Sequence, residues 1–202
     1  MTKQQMLNDL KQECENCRVC EIGKERTNLV FGIGNPDTAK IVFIGEAPGE
    51  QEDKEGIPFV GKAGQFLDEY LKKAGIDREK DLYIINTLKC RPFIIKNQKT
   101  GIKSNRPPMR EEKQACEKFM LRQIEIINPK LVVLCGNNAL KSLCGSKYTV
   151  TKTHGKLANL EYKGRKAITI YHPSYLVSYA HSEEKNKEFL EDLIYIHEAL
   201  KY

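Results

Sequence analysis

The sequence predicts an α/β sandwich built around a parallel β-sheet, and three observations lead to that fold class. Four short apolar runs are rich in β-branched residues and nearly continuous, which is typical of strands buried on both faces of a parallel sheet. Helical patterns lie between these runs, and strands that alternate with helices favour layered α/β folds. The chain of 202 residues is 40% hydrophobic, enough for one substantial core. The four predicted strands are 41–44, 82–85, 131–134 and 167–171.

Each predicted helix has an apolar face or an end signal. The segment 61–76 carries aromatic and leucine side chains on one face and ends at Gly75, a residue that fits a C-cap. The segment 110–130 repeats apolar residues at helical spacing, and Pro129 marks its end. The segment 186–202 has the pattern of a last amphipathic helix. The sequence contains no internal repeat, so these elements form one domain.

Composition narrows the class of protein further. No window approaches roughly eighteen consecutive apolar residues, so the sequence predicts no membrane span. The N-terminus, MTKQQMLNDLKQECENC, lacks the apolar core of a signal peptide, which favours the cytoplasm. Seven cysteines in a reducing compartment indicate a metal site or cluster rather than a disulfide framework. The 33 Lys and Arg residues outnumber the 27 acids. This excess permits a polyanionic partner, and ordinary solubility charge explains it equally well.

Polar residues follow the predicted strands at the edge where open α/β sheets bind their ligands. The first strand runs into GEAPGEQED (45–53), which carries four carboxylates in nine residues. The second strand ends at Asn86 and the fourth at His172. Taken singly, the acids can cap a helix, the Asn can serve a turn, and the His can bond a backbone carbonyl. Their arrival at three strand ends predicts a common binding site.

The cysteines form a second constellation. Cys14, Cys17 and Cys20 have the spacing C-x2-C-x2-C, and Cys90 and Cys116 follow far along the chain. The triple spacing resembles part of a bacterial ferredoxin run but does not complete it. A four-thiolate site therefore needs two of the first three cysteines plus the two distant ones, and spacing does not separate zinc from an iron–sulfur cluster. We interpret the remaining two cysteines as small core residues.

The segment 93–110, FIIKNQKTGIKSNRPPMR, has an unusual composition. It contains five basic residues, two prolines and no acid, and we interpret it as a long basic loop inserted into the domain. The simpler hypothesis is a solvated insertion. The alternative is a basic flap that covers nucleic acid.

Five linked motifs resemble the family 4 uracil-DNA glycosylases, which carry a [4Fe–4S] cluster. In chain order they are a C-x2-C pair upstream of FGIGNP, then GEAPGEQED, PFVGKAGQFLDEYL, NTLKCRP and HPSYL. The similarity runs from about residue 17 to residue 176, although the interval between the last two candidate ligands is longer than in that family's pattern. It implies a three-layer α/β/α sandwich with a central four-stranded parallel sheet, as a single domain over 1–202. It also implies hydrolysis of the N-glycosidic bond of uracil in DNA.

The resemblance selects among the cysteines. It implies that the [4Fe–4S] cluster is held by Cys17, Cys20, Cys90 and Cys116. Cys14 is then surplus.

The resemblance also assigns the residues around the base. It implies that Gly45, Glu46 and Ala47 line the uracil pocket and that Glu46 positions the attacking water. Breaking the glycosidic bond leaves a cation-like sugar and an anionic base, so His172 is expected to donate toward uracil O2. The two catalytic residues are therefore Glu46 and His172.

Recognition of the base is expected from three further side chains. Phe59 would stack on the flipped base. Asn86 would accept from uracil N3–H and donate to O4, a pattern that cytosine inverts. Glu52 would crowd the C5 edge and reject the thymine methyl group. In the HPSYL motif, the residues expected to contact DNA are Ser174, Tyr175 and Leu176.

Three alternatives accompany this hypothesis. The first is a cluster-bearing DNA-binding module without catalysis, which Glu46, Asn86 and His172 together argue against. The second is a relative that attaches covalently to the abasic site through a KRRIH loop, but no such run occurs in the sequence. The third is activity on other deaminated bases. The expected partner is uracil-containing DNA, single- or double-stranded, bound by a cytoplasmic monomer that contacts no membrane.

Overall fold

The computed structural model describes residues 1–155, 160–178 and 183–201, and a mixed β-sheet lies at its centre. Its strands are β1 (Ile33–Gly34), β2 (Ile41–Gly45), β3 (Leu82–Asn86), β6 (Leu131–Cys135), β7 (Leu160–Tyr162) and β8 (Arg165–Ile170). A separate hairpin contains β4 (Phe93–Asn97) and β5 (Ile102–Asn105). The helices are α1 (Lys3–Glu15), α2 (Glu21–Glu25), α3 (Glu50–Glu55), α4 (Lys62–Ala74), α5 (Arg78–Asp81), α6 (Arg110–Ile127), α7 (Gly136–Cys144), α8 (Val150–Thr153), α9 (Pro173–Ser178) and α10 (Glu183–Ala199).

The predicted parallel sheet is confirmed, and it is wider than expected. Its strand order is β1-β3-β2-β6-β8-β7, and the four inner strands pair in parallel. They coincide with the four predicted runs. The expectation of four strands was wrong because β1 and β7 add antiparallel edges. These strands have two and three residues, too few for a sequence period, and short edge strands protect a sheet from pairing with other chains.

Helices cover both faces of the sheet. The crossover from β2 to β3 contains α4, and the crossover from β3 to β6 runs in the opposite direction across the sheet and contains α6. Because such crossovers are right-handed, α4 and α6 lie on opposite faces. α4 packs against α9 and α10, while α1 packs against α6. Every residue of β2, β3 and β6 is buried, as expected for strands covered on both faces.

The helix ends follow the sequence signals. α4 ends at Gly75 in the left-handed region with φ 75°, which glycine adopts without steric cost. α6 ends at Asn128, also left-handed, directly before Pro129. Within the described ranges, no helix combines the length and the apolar character needed to cross a bilayer.

The segment 93–110 is mostly a β-hairpin rather than a loop. β4 and β5 pair antiparallel, with Phe93 opposite Asn105, and Gly101 in the connecting turn has φ 66°. The last residue of the segment, Arg110, begins α6. The strands were missed because they are largely exposed and rich in lysine and asparagine, residues that are depleted in strands.

Candidate functional site

A cavity of about 640 Å³ lies at the carboxyl ends of the inner strands. The predicted convergence of the GEAPGEQED loop, Asn86 and His172 is therefore present in the structure. The sequence-predicted residues that line the cavity are Glu46, Ala47, Glu52, Phe59, Asn86, His172 and Ser174.

Gly45 lies beneath the cavity and permits its tightest packing. It is the last residue of β2 and pairs with Asn86, the last residue of β3. A Cβ atom at this position would lie 2.3 Å from Asn86 Oδ1 and 2.7 Å from two ring carbons of Phe59. The absence of a side chain at Gly45 thus brings the amide and the ring against the end of the strand.

The ring of Phe59 is held from behind by backbone contacts. Phe59 adopts φ 55°, a left-handed conformation that costs a non-glycine residue energy and requires support. Arg78 Nη2 supplies it by donating to the carbonyls of Pro58 and Phe59, each over 3.1 Å. Gly64 of α4 lets the helix approach, since a Cβ there would lie 1.9 Å from the Phe59 carbonyl oxygen. Sequence reasoning missed Arg78, which lies outside every motif.

His172 is held as a neutral hydrogen-bond donor. The Ser174 N–H donates to His172 Nδ1 over 3.2 Å, and Ser174 Oγ lies 2.7 Å from the same nitrogen. A ring nitrogen that accepts leaves the hydrogen on Nε2. Burial lowers the pKa of His172 to about 4, although the Glu52 carboxylate opposes this shift. The imidazole is therefore uncharged at neutral pH, and its ring lies 5.8 Å from that of Phe59, centroid to centroid.

The backbone of Glu46 is fixed while its side chain lines the cavity. The Glu46 carbonyl accepts from the Leu88 N–H over 3.1 Å and from Thr87 Oγ1 over 2.5 Å. Its carboxylate is close to Cys135: burial raises the pKa of that thiol, and the Glu46 charge raises it further. The two hydrogen bonds of the Glu46 carbonyl join the loop after β2 to the segment after β3.

Glu52 acts on the backbone of the loop. One carboxylate oxygen accepts from the Gly49 N–H over 3.1 Å. The other accepts from the N–H groups of Val60 and Gly61 over 3.0 and 2.9 Å. Three charge-assisted bonds tie the start of α3 to the chain that carries Phe59. This arrangement was not anticipated from the sequence.

The last four residues of the HPSYL motif begin the short helix α9, and the three predicted DNA contacts among them differ in exposure. Ser174 lines the cavity. Tyr175 is 43% exposed, and its ring stacks on Tyr171 with centroids 5.9 Å apart. Leu176 is only 1% exposed, so its side chain lies in the core rather than at the mouth of the cavity. Its apolar character is explained by packing.

Three of the four predicted ligand cysteines gather beside the cavity, while Cys17 packs against the main core. Cys90 and Cys116 are buried in one small cluster with Ile22 and Leu88, against which Cys20 and Ala47 pack. Ala47 thus joins the loop after β2 to the thiols.

The gathered thiols do not form a coordination shell. Across the described residues, no three or more His, Cys, Asp or Glu side chains are arranged to hold a metal ion, and all seven cysteines carry free thiols. Burial raises the pKa of the Cys90 thiol, and Cys20 and Cys17 add to this rise while Arg26 opposes it. Cys14 is also buried next to this group, and burial raises its pKa to about 12.

Lys89 is a fully buried lysine between the thiols and the cavity. It is 0% exposed, and its Nζ donates to the Asn86 carbonyl over 2.7 Å. Burial raises the pKa of Cys116 to about 11, an effect that the Lys89 backbone N–H and ammonium oppose. Burying an ammonium is costly without anionic or carbonyl partners. The only sequence signal for Lys89 is its charge within the NTLKC stretch (86–90). The structure buries all five of these residues.

Comparisons with known proteins agree with this architecture. The profile of the Uracil DNA glycosylase superfamily matches residues 31–194. A type-4 uracil-DNA glycosylase of Thermotoga maritima is 43% identical over 193 residues, which cover 95% of this chain and 93% of that protein. A type-4 uracil-DNA glycosylase of Archaeoglobus fulgidus is 41% identical over 174 residues, covering 83% of this chain and 81% of that protein. A third, from Sulfurisphaera tokodaii, is 40% identical over 175 residues, 83% of this chain and 74% of that protein.

Proposed function

This chain belongs to the uracil-DNA glycosylase superfamily, and on that premise we propose that it is a DNA-repair hydrolase that removes uracil from DNA. The reaction breaks the bond between C1′ of the deoxyribose and N1 of uracil. It releases free uracil, leaves an abasic site and does not cut the phosphodiester backbone. The fold and the family point to the same activity.

The observation that carries this proposal is the packing of Asn86 and Phe59 on Gly45 at the floor of the cavity. A buried amide in a fixed position pairs with one base edge and leaves groups unpaired against the wrong edge. Asn86 would accept from uracil N3–H and donate to O4. Phe59 would stack on the flipped base. The bonds from Glu52 to three amides support the rigid wall that a thymine methyl group would meet.

The same cavity supports the bond-breaking step. As the C1′–N1 bond breaks, negative charge develops on uracil O2 and positive charge on the sugar. The neutral Nε2–H of His172 would donate a hydrogen bond to O2 and so stabilise the negative charge that develops there. The Glu46 carboxylate would stabilise the sugar and orient a water that attacks C1′, taking up its proton.

The chemistry of the gathered thiols supports a metal centre that stabilises the fold, although their arrangement is not that of a coordination shell. We propose that Cys17, Cys20, Cys90 and Cys116 hold a [4Fe–4S] cluster. The donor set fits, because soft sulfur ligands suit iron–sulfur clusters. The buried Lys89 ammonium, and Arg26 Nη1 at 3.5 Å from Cys90 Sγ, would balance the thiolate charge. We further propose that the protein acts as a monomer in the cytoplasm.

The test compares oligonucleotides that differ only by uracil or thymine at one position, scored for abasic sites. Excision of uracil alone is expected. Asn86→Asp should abolish most of it, because an ionised carboxylate does not donate to O4. Asn16→Asp, the same change at the C-cap of α1, serves as the control. An uracil-containing strand left intact by folded, iron-loaded protein would exclude the proposed activity.

A further inference from the structure

The hairpin formed by β4 and β5 displays an unusual combination of side chains. Ile94, Ile95 and Ile102 are 50%, 45% and 56% exposed. Lys96 and Lys103 lie on the same two strands. In the part of the chain that the structure describes, neither lysine enters a salt bridge. Exposed aliphatic side chains grouped on one element indicate a binding surface.

Two arginines, the buried Arg91 and the half-buried Arg106, fix the base of the hairpin. Arg91 Nε donates to Asn105 Oδ1 over 2.7 Å, and its Nη2 lies 3.4 Å from Glu50 at the start of α3. Arg106 forms a two-pronged ion pair with Glu112, at 2.5 and 2.9 Å, and Glu112 is 2% exposed. The hairpin is therefore attached to the GEAPGEQED loop and to α6.

The hairpin continues the wall of the proposed uracil cavity. Residues at its base line that cavity: Pro92, Asn105, Arg106 and Pro107. From this rim, a five-residue strand extends about 15 Å. That length matches about four nucleotides of one strand in B-form DNA. A nucleic acid whose uracil occupies the cavity would thus pass along the hairpin on one flank.

The positive charge of the hairpin favours a nucleic acid as its partner. The segment 93–110 contains five basic residues and no acid. Arg106 is used by Glu112, which leaves Lys96, Lys99 and Lys103 as exposed cations of the hairpin itself. Lys103 Nζ is placed over the Phe93 ring at 3.9 Å from its centroid, so its ammonium has a defined position. Cations suit phosphates, and exposed isoleucines contact bases where a strand is unstacked.

We propose that this hairpin is a second DNA-binding element, which holds the DNA on one side of the excised uracil. Lys96, Lys99 and Lys103 contact phosphates, and the isoleucines pack against sugars and bases, with Ile94 and Ile95 on opposite faces of the hairpin. The proposal rests on the proposed function for the position of the uracil. It adds that the protein covers a longer stretch of DNA on one side of the uracil than on the other, which the cavity residues alone would not do.

The experiment measures affinity for oligonucleotides extended on one side at a time. Each carries one uracil with a single neighbouring nucleotide on one side, and two to eight nucleotides on the other. The test proteins are the triple variants K96Q/K99Q/K103Q and I94S/I95S/I102S. The control, K40Q/K80Q/K130Q, removes the same charge from exposed lysines at the opposite, amino ends of β2, β3 and β6. Thermal unfolding checks that each variant is folded.

We expect the wild type to gain affinity with length on one flank more than on the other. On that flank K96Q/K99Q/K103Q should bind about tenfold more weakly, with a salt slope smaller by about two units for single-stranded DNA. The isoleucine variant should lose affinity there with an unchanged salt slope. The control should bind as wild type.

Two results would overturn the proposal. The first is equal affinity of wild type and both hairpin variants on every substrate. The second is that the wild type self-associates, the isoleucine variant does not, and both bind DNA equally. The hairpin would then be a contact between copies of this chain. Excision of uracil by the wild type, scored as abasic sites in the longest substrate, tests the proposed function separately from these affinities.

Discussion

The side chain of Gly45 is a single hydrogen, which leaves the space in which Asn86 and Phe59 pack. Gly45→Ala would place a Cβ 2.3 Å from the amide oxygen and 2.7 Å from the ring. Both groups must shift, and a displacement of about 1 Å in a binding group costs on the order of 10²-fold in rate. We expect kcat/KM for uracil excision to fall by about that factor, measured on one oligonucleotide at low substrate concentration.

The matched control for this prediction is Gly164→Ala. Gly164 has φ 76° and open space around it, so the change costs about 1 kcal/mol of backbone strain without touching the cavity. It should lower the thermal midpoint and keep excision. Equal activity of Gly45→Ala and wild type would mean that the floor of the cavity adapts.

His172 gives a pH dependence with a defined sign. Its folded pKa of about 4 lies below the ordinary value of 6.5, so the unfolded chain binds a proton more readily. The stability that the neutral ring contributes is present above pH 6.5 and is lost as the pH falls toward 4. We expect the unfolding free energy of wild type to fall more over this window than that of His172→Gln. Urea titrations at several pH values measure it.

The activity of the same residue has a separate test. Because the ring stays neutral, single-turnover excision should not decline between about pH 7 and pH 5 through His172. His172→Ala should slow excision by roughly 10²–10³. A wild-type rate that halves near pH 6.5 and becomes flat in His172→Ala would contradict a neutral donor.

Sequence reasoning at this scale found side chains that line the cavity and missed those that hold them in place. Asn86 and His172 follow predicted strands, so their place at the sheet edge could be predicted. Arg78 and the backbone clamp of Glu52 could not, because each depends on which carbonyl or amide the fold brings near. Such contacts follow no motif or regular spacing in the sequence.

At the scale of elements, the ion pair of Arg106 with Glu112 decides how the hairpin is attached. The sequence suggested that Arg106 was available to phosphates, but its guanidinium bonds a buried carboxylate. Arg106→Ala would leave that carboxylate without its partner, at a cost of roughly 3 kcal/mol in the free energy of unfolding. Denaturant titration measures this loss.

Arg110→Ala is the control, since Arg110 is exposed at the start of α6. It should change the free energy of unfolding by less than about 0.5 kcal/mol. Similar values for the two variants would show that the buried pair is not a structural anchor.

The elements that could be predicted are those with enough residues to show a period. β2, β3 and β6 are buried throughout and read as apolar runs, and α4 and α6 have clear end signals. β1 and β7 are too short, and their pairing is decided by the strands beside them. The hairpin carries polar residues on exposed strands, so its pattern is close to that of a loop.

Over the whole molecule, the cysteines connect the N-terminal segment to the middle of the chain. We expect protein purified without oxygen to be brown and to contain iron and acid-labile sulfide. Cys17→Ser should lose the iron, the colour and several degrees of thermal stability, because metal binding contributes to folding. Absorption spectra, metal analysis and thermal unfolding provide the measurements.

The variant Cys14→Ser tests whether Cys14 is a ligand of the cluster or only lies next to it. Cys14 is 2% exposed beside the same thiols, yet it is the surplus cysteine of the proposed set, so the variant should keep iron and colour. A colourless, zinc-loaded and active wild type would contradict the cluster. Loss of iron in Cys14→Ser together with its retention in Cys17→Ser would exchange their roles.

The attachment of the hairpin has an evolutionary consequence. The Arg106 N–H donates to the Pro92 carbonyl over 3.1 Å, so the chain leaves the domain and returns to it at nearly the same point. The residues between Phe93 and Asn105 can lengthen, shorten or be exchanged without moving the base of the hairpin, because closing a longer loop costs little extra entropy. Natural variation can therefore change this hairpin while the cavity stays the same, and engineers can graft a different hairpin at this junction.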